Sequence, residues 1–322
     1  MTSLTRRTFT VAGLSTLLCT GQAGAADLAQ VTLRIGDQTG ASRSKLQAAG
    51  LLKDVPYKID WSVHAAAVNL HEALKADAID IGSANDSPTV SAIAGGSRIA
   101  AVAGWYNGAG AVLLSPKGSA VRQIADLRGR TISPTTRGSV AHYLVVAALR
   151  QAGIGLDEVK LAFLTPADAS AAFSAGSIDA WGTWGVYKAR ALGTLGAQVV
   201  TDGAGLNSGL GVLSATQKVL TDPLKVAAIA DFADRLDRGY AWSRANREAH
   251  IRWYAAFTRQ DEATAALLYE DDAAYRRVPI DDRFVARLRE TYDTWRAVGI
   301  LSGEIDWARY VYRDLPIAQV PA

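Results

Sequence analysis

Three short stretches put small polar residues where helices should begin: Asn85-Asp86-Ser87-Pro88, Thr135-Thr136-Arg137-Gly138-Ser139 and Thr165-Pro166-Ala167-Asp168. The first turn of a helix presents N–H groups without intrahelical partners and carries partial positive charge, so it can hold an anion. The second stretch is the richest. Gly138 allows close backbone approach, Ser139 offers a hydroxyl, and Arg137 could give a paired fork to a sulfonate or carboxylate. Asn85, Asp86 and Ser87 bring an amide, a carboxylate and a hydroxyl to the first stretch. Thr165 and Asp168 have capping-box spacing, so the third reads as a structural helix start. Further on, Trp181, Trp184 and Tyr187 cluster. They are explained equally well as a wall for a ligand's carbon skeleton and as the packed interior of a hinge or lobe.

Reactive chemistry has less support. The histidines His64, His71, His142 and His250 show neither a neighbouring nucleophile nor the spacing of metal ligands. His64 is the one candidate for an acid or base, at the rim of a pocket. The single cysteine, Cys19, falls inside the N-terminal leader described below. A chain that has lost its leader therefore has no thiol, which excludes disulfides, thiolate metal sites and a cysteine nucleophile. No catalytic group, metal or cofactor is expected.

Positioning these residues requires a layered α/β frame. From Val31 onward, short apolar strands alternate with helical segments: Val31–Gly36, Lys58–Val63, Ile79–Ile81, Ile99–Ala103, Ala111–Ser115, Thr131–Ser133 and Val159–Leu164 read as strands. The helix over Val140–Gln151 is stopped by Gly153. Such alternation predicts mixed, mostly parallel sheets flanked by helices, with ligands collecting at the carboxyl ends of the strands. The segment Ala73–Asp80 is echoed by Ala172–Asp179, each copy a helix end, a turn and a strand marked Ile-Asp. That echo predicts two lobes of similar build. After Thr221 amphipathic helices take over (Lys225–Arg238, Arg244–Phe257, Ala263–Glu270, Asp282–Val298) and form a wrap. The aromatics there, Trp253, Tyr254, Tyr292 and Trp295, are read as core and edge packing.

The N-terminus sets the compartment. Arg6-Arg7, an apolar run from Val11 to Cys19 and the small residues Ala23–Ala26 form a cleavable export signal, residues 1–25, of the twin-arginine kind. Lipidation at Cys19 is disfavoured by Leu18, where a small residue is wanted. Thirty-four basic residues oppose thirty-one acidic ones. Loss of Arg6 and Arg7 with the leader brings the balance close to neutral, and no basic block suggests nucleic acid. The expectation is a periplasmic monomer without a membrane span in the mature chain.

The run from Ala125-Asp126-Leu127-Arg128-Gly129 through Gly138-Ser139 and Tyr143–Leu149, then Leu164–Ala169 and Ala172-Phe173 to Ile178-Asp179-Ala180-Trp181, resembles periplasmic binding proteins of the aliphatic-sulfonate and taurine import systems. Arg34-Ile35-Gly36-Asp37-Gln38, Glu72-Ala73-Leu74, Ile79–Gly82 and Asp86-Ser87-Pro88 extend the resemblance to the first lobe. It implies a two-lobed periplasmic-binding-protein fold (type II) closing on a small anionic organosulfur solute and docking on the membrane permease of an ATP-driven (ABC) importer. It also implies that Gln38, Thr39, Asn85, Asp86, Ser87, Gly138 and Ser139 bind the solute, with Trp181 and Trp184 close by. The lobes are expected at 30–114 plus 206–322 and at 115–205, with crossovers near Ser115 and Gly205.

The chain departs from that pattern at Val63-His64-Ala65-Ala66-Ala67, at Trp184-Gly185-Val186-Tyr187, and at Arg137. With Trp105, Tyr106 and Tyr187 at the pocket rim, these departures point away from simple alkanesulfonates toward a larger, aromatic or differently charged ligand. The rival reading is an enzyme on the same fold, a desulfinase or a thiamine-pyrimidine synthase, which the missing thiol disfavours.

Overall fold

The computed structural model describes residues 25–317; all but the last residue of the expected leader, with Arg6, Arg7 and Cys19, lies outside them. In the first lobe β1 (Thr32–Gln38), β2 (Lys58–His64), β3 (Ile81–Asn85) and β4 (Ile99–Tyr106) run in one direction. The second lobe holds β5 (Val112–Ser115), β6 (Thr131–Ser133), β7 (Lys160–Leu161), β8 (Ala180–Thr183) and β9 (Gln198–Asp202). The chain then returns to the first lobe as β10 (Leu210–Thr216) and β11 (Arg276–Val278). The first sheet has the order β11-β4-β10-β3-β1-β2 and the second β7-β6-β8-β5-β9. Both are mixed: β10 runs antiparallel between β3 and β4, and β5 runs antiparallel between β8 and β9. This is the expected layered α/β architecture.

The strand Val112–Ser115 pairs with β8 and β9, so the chain leaves the first sheet at 107–111, earlier than the expected break near Ser115. The break is set by backbone geometry: Gly108 and Ala109 have φ of 70° and 55°, which ends β4 abruptly. The return crossover spans 203–209. The two connections lie against each other, since Asn107 N–H donates to the Gly209 carbonyl at 2.6 Å. A Cβ on Gly203 would come within 2.3 Å of the Ala109 carbonyl oxygen, so only glycine permits that approach.

The Ile-Asp echo is structural. In the first lobe, Asp80 N–H donates to the Arg34 carbonyl and its carboxylate accepts the Arg34 N–H, at 2.8 and 2.9 Å. In the second, Asp179 N–H donates to the Thr131 carbonyl and its carboxylate accepts the Thr131 N–H, both at 2.8 Å. An aspartate thus makes the same pair of backbone bonds in each lobe, to the third residue of β1 and to the first of β6. Asp80 also pairs with the Arg34 guanidinium and the Lys225 ammonium, each at 2.6 Å. Burial pushes its carboxyl up, but those bonds outweigh burial and hold it below the ordinary carboxylate range.

One face of the first sheet packs Leu33 and Ile35 against Phe232 and Leu236 of the helix Pro223–Ala245. Asp222 caps that helix by accepting the Leu224 and Lys225 N–H groups, as the Asp-Pro sequence predicts. The opposite face buries Leu70, Val90 and Ile93 against Phe284, Leu288 and Trp295. The expected helix 263–270 is broken into Glu262–Ala266 and Tyr269–Ala273. This broken segment reaches the second lobe, where Lys188 pairs with Asp271 at 2.7 Å and Gln260 Nε2 donates to the Val186 carbonyl at 3.3 Å. Among the described residues no helix is long and apolar enough to cross a membrane.

Candidate ligand-binding cleft

A cleft of about 280 Å³ lies between the lobes, where the carboxyl ends of β1, β3, β6 and β8 converge. The first lobe contributes Gln38, Thr39, Ala65–Ala67, Asn85 and Pro88. The second contributes Thr136, Ser139, Val140, Pro166, Trp184 and Tyr187. Asn107 and Gly110 enter from the first crossover, and Tyr254, Phe257, Asp271, Asp272 and Tyr275 from the wrap.

At the end of β1, Thr39 and Gly40 take φ of 56° and 80°, turning the chain sharply into the helix Ala41–Ala48. Gln38 Nε2 is anchored on the Ser83 carbonyl at 2.9 Å. Asn85 precedes the helix Asp86–Ala94, and its Oδ1 accepts from Asn107 Nδ2 at 2.8 Å. Asn107 Oδ1 in turn accepts the Ala109 N–H at 3.2 Å. A backbone N–H can only donate, so this chain of bonds fixes both amides and leaves the Asn85 NH2 for the cleft.

In the second lobe Ser139 is the N-cap of the helix Val140–Gln151: its Oγ accepts the His142 N–H at 3.1 Å and reaches the Pro134 carbonyl at 3.2 Å. That hydroxyl is occupied by the turn. Thr136 Oγ1, by contrast, is buried with no protein partner and its residue lines the same wall. Gly138 N–H donates to His142 Nδ1 at 3.0 Å, so the imidazole carries its proton on Nε2 and is neutral. Burial, with a smaller contribution from the Arg137 charge, pushes His142 down to about 4.

Of the remaining expected site residues, several lie elsewhere. The Arg137 guanidinium lies 4.0 Å from the Phe163 ring centroid and is not among the cleft-lining residues; Arg137 sits exposed in the turn before the N-cap Ser139. Asp86 is buried as a structural acceptor for Ser208 Oγ and Thr291 Oγ1, at 2.6 and 2.5 Å. Burial raises its carboxyl above the ordinary range even so. Ser87 is fully buried beside it. Gly138 falls between Thr136 and Ser139 without lining the cleft itself. Trp181 is fully buried in the second lobe against Phe173 and Tyr187, so the pair divides: Trp184 is wall and Trp181 is core. His64 bonds Ser62 Oγ at 2.9 Å, with Ala65–Ala67 forming the rim. Trp105 is buried and donates to Asp237 at 3.3 Å, and Tyr106 is exposed.

The packing reading of the wrap holds for Tyr292 and Trp295, both buried in the core. Tyr254 packs against Ile251, Ala255 and Tyr269 as an edge residue, and it also lines the cleft with Phe257 and Tyr275. Sequence reasoning named the stretch that holds Thr136 but gave no cleft role to these aromatics, Asn107 or the Asp271-Asp272 pair. The adjacent acids before Tyr275 were the available signal. Each is matched to a lysine: Asp272 to Lys45 and Asp271 to Lys188, both at 2.7 Å. Burial lifts the Asp271 carboxyl and Lys188 pulls it back only in part. The lysines are thus already neutralised, and an anion entering the cleft meets neutral donors and helix starts.

The family described as NMT1/THI5 like matches residues 58–249. An aliphatic sulfonates-binding protein of Escherichia coli is 37% identical over 187 residues, 57% of this chain and 58% of the relative, so the match spans little more than half of that relative's length. The crystal structure of a periplasmic aliphatic sulphonate binding protein from Escherichia coli superposes with a TM-score of 0.76 at 27% identity, covering 90% of this chain and 94% of that one. An alkanesulfonate-binding protein from Xanthomonas axonopodis pv. citri, bound to MOPS, gives 0.77 at 26% identity, covering 88% and 98%. Fold and matched sequence agree: this chain belongs to the NMT1/THI5-like family and has the periplasmic-binding-protein fold.

Proposed function

We propose that the chain is the solute-binding component of an ABC importer and captures a small organosulfur anion, a sulfonate, in the cleft between its lobes. The observation that carries this reading is the pairing of donors across the cleft: the oriented Asn85 amide on one lobe and the buried, unpartnered Thr136 hydroxyl at a helix start on the other. Neutral, preoriented donors suit a group that stays ionised and exchanges no proton. The sulfonate-binding relatives support the same ligand class. Export through the twin-arginine leader, a periplasmic location and a partner permease complete the proposal, with the ligand carried and not converted.

Calorimetric titration of the leaderless protein with sulfonates, sulfate esters, carboxylates and phosphonates tests it. Sulfonates should bind and raise the melting temperature by mass action. Trp184 lines the cleft, so its fluorescence should change on binding. Binding confined to uncharged compounds would refute the anion reading, and turnover of a bound compound would refute the transport role.

A further inference from the structure

Behind the cleft, inside the first lobe, lies a second chamber of about 200 Å³. Gln38, Ala41, Asn85, Tyr254, Asp272 and Tyr275 belong to the walls of both cavities, so the two adjoin. Its lining is aromatic: Trp105, Tyr240, Trp253, Tyr254 and Tyr275. Trp105 meets Tyr240 edge to face with centroids 5.8 Å apart, and Tyr240 stacks on Tyr275 at 4.3 Å. At the side lies Lys45, only 7% exposed, whose ammonium bonds Asp272 and sits 4.7 Å from the Tyr240 centroid. Gly211 of β10 completes the wall. A Cβ there would meet the Trp105 carbonyl oxygen, Asn107 Nδ2 and Tyr275 Cε1 at 3.6–3.8 Å, ordinary contact distances, so the missing side chain leaves real space.

We propose that this chamber is a ring subsite: it takes the aromatic ring of an arylsulfonate or arylalkylsulfonate whose anionic head rests in the cleft. This rests on the sulfonate reading above and extends it to the rest of the ligand. An alkyl tail placed here would strip water from the Lys45–Asp272 pair and return no polar contact. A ring instead turns its electron-rich face to the Lys45 ammonium and packs edge to face with the tyrosines and Trp105. Cleft and adjoining chamber together offer about 280 and 200 Å³, within the roughly 300–1,000 Å³ typical of sites for organic ligands.

The test compares ethanesulfonate with phenylethanesulfonate, which share a head and differ in the ring, on the wild type, Gly211→Ala and Gly211→Val. The wild type should bind the phenyl compound tighter by at least about tenfold, the scale of burying one ring. Gly211→Val, which fills the chamber from a strand position that tolerates β-branching, should erase that preference, read as the ratio of the two dissociation constants so that any shift of the adjoining Asn107 acts on both compounds alike. Gly211→Ala should fall between, and it serves if the valine variant melts early. Equal binding of both compounds by the wild type, or a phenyl preference that survives Gly211→Val, overturns the ring subsite and leaves the sulfonate cleft standing. If neither sulfonate binds, the cleft reading and the subsite fall together.

Discussion

Asn107 Nδ2 donates to Asn85 Oδ1 at 2.8 Å, so the orientation of a cleft residue is dictated from the crossover between the lobes. Asn107→Asp keeps the acceptor for the Ala109 N–H but removes the donor. Asn85 should then turn its NH2 toward the new carboxylate and away from the cleft. Sulfonate affinity should drop by about 1.5–3 kcal/mol, the scale of a hydrogen bond to a charged group. Calorimetry on the variant decides, and an unaltered dissociation constant would remove the Asn85 amide from the site.

Arg137 makes a contrasting case. Its guanidinium stacks on Phe163 and not in the cleft, so Arg137→Ala should leave sulfonate affinity within about twofold. Stability should fall by about 0.5–1 kcal/mol, the worth of an exposed cation–π contact. A tenfold loss of affinity would return Arg137 to the binding site.

Acid should weaken the fold through its buried imidazoles. Burial pushes His71, His142 and His250 down to about 4 from an ordinary value of 6.5. Each folded-state value is depressed, so the unfolded chain takes up protons first as pH falls. The neutral rings' stabilisation is intact above pH 6.5 and is lost progressively down to about pH 4, by at most roughly 3 kcal/mol per histidine. The raised carboxyls of Asp37, Asp86 and Asp271 act the other way near the bottom of that window. Urea midpoints measured from pH 7 to 4 should decline, and His142→Gln should flatten the decline. An equally steep curve in that variant would show that His142 does not titrate as inferred.

Lys188 and Asp271 join the second lobe to the wrap, and both are half-buried. Lys188→Met should destabilise the protein by about 2–3 kcal/mol, because it leaves the Asp271 carboxylate without its partner. Adding Asp271→Asn should recover most of that loss. If the double variant is no more stable than the single one, the cost lies in packing and not in charge.

Much of the frame was legible in the sequence. Strand positions follow the apolar alternation, and the Ile-Asp echo marks the same strand anchor in both lobes because Asp80 and Asp179 make the same pair of backbone bonds. Helix starts were legible too, since Ser139 and Asp222 cap as their types predict. The site was read only in part. Spacing locates Arg137 just before a helix start but does not say which neighbour, here Phe163, its side chain meets. Tyr254 and Tyr275 were hidden because an aromatic on an amphipathic helix or beside an edge strand looks the same whether it faces a core or a cavity. Asn107 matters only through Asn85, a contact across the sheet that no local pattern encodes.

The position of β10 bears on the order of assembly. It is the strand between β3 and β4, yet it is translated after the whole second lobe. The second lobe's sheet is drawn from one continuous segment and can form as that segment emerges. The first lobe's sheet has a gap at its centre until residues 210–216 arrive, leaving the facing edges of β3 and β4 without partners. The second lobe should therefore mature first and the first lobe last, through long-range pairings that form slowly. Substitutions at Leu213 or Ser214 should slow that last step and leave the second lobe's own folding unchanged.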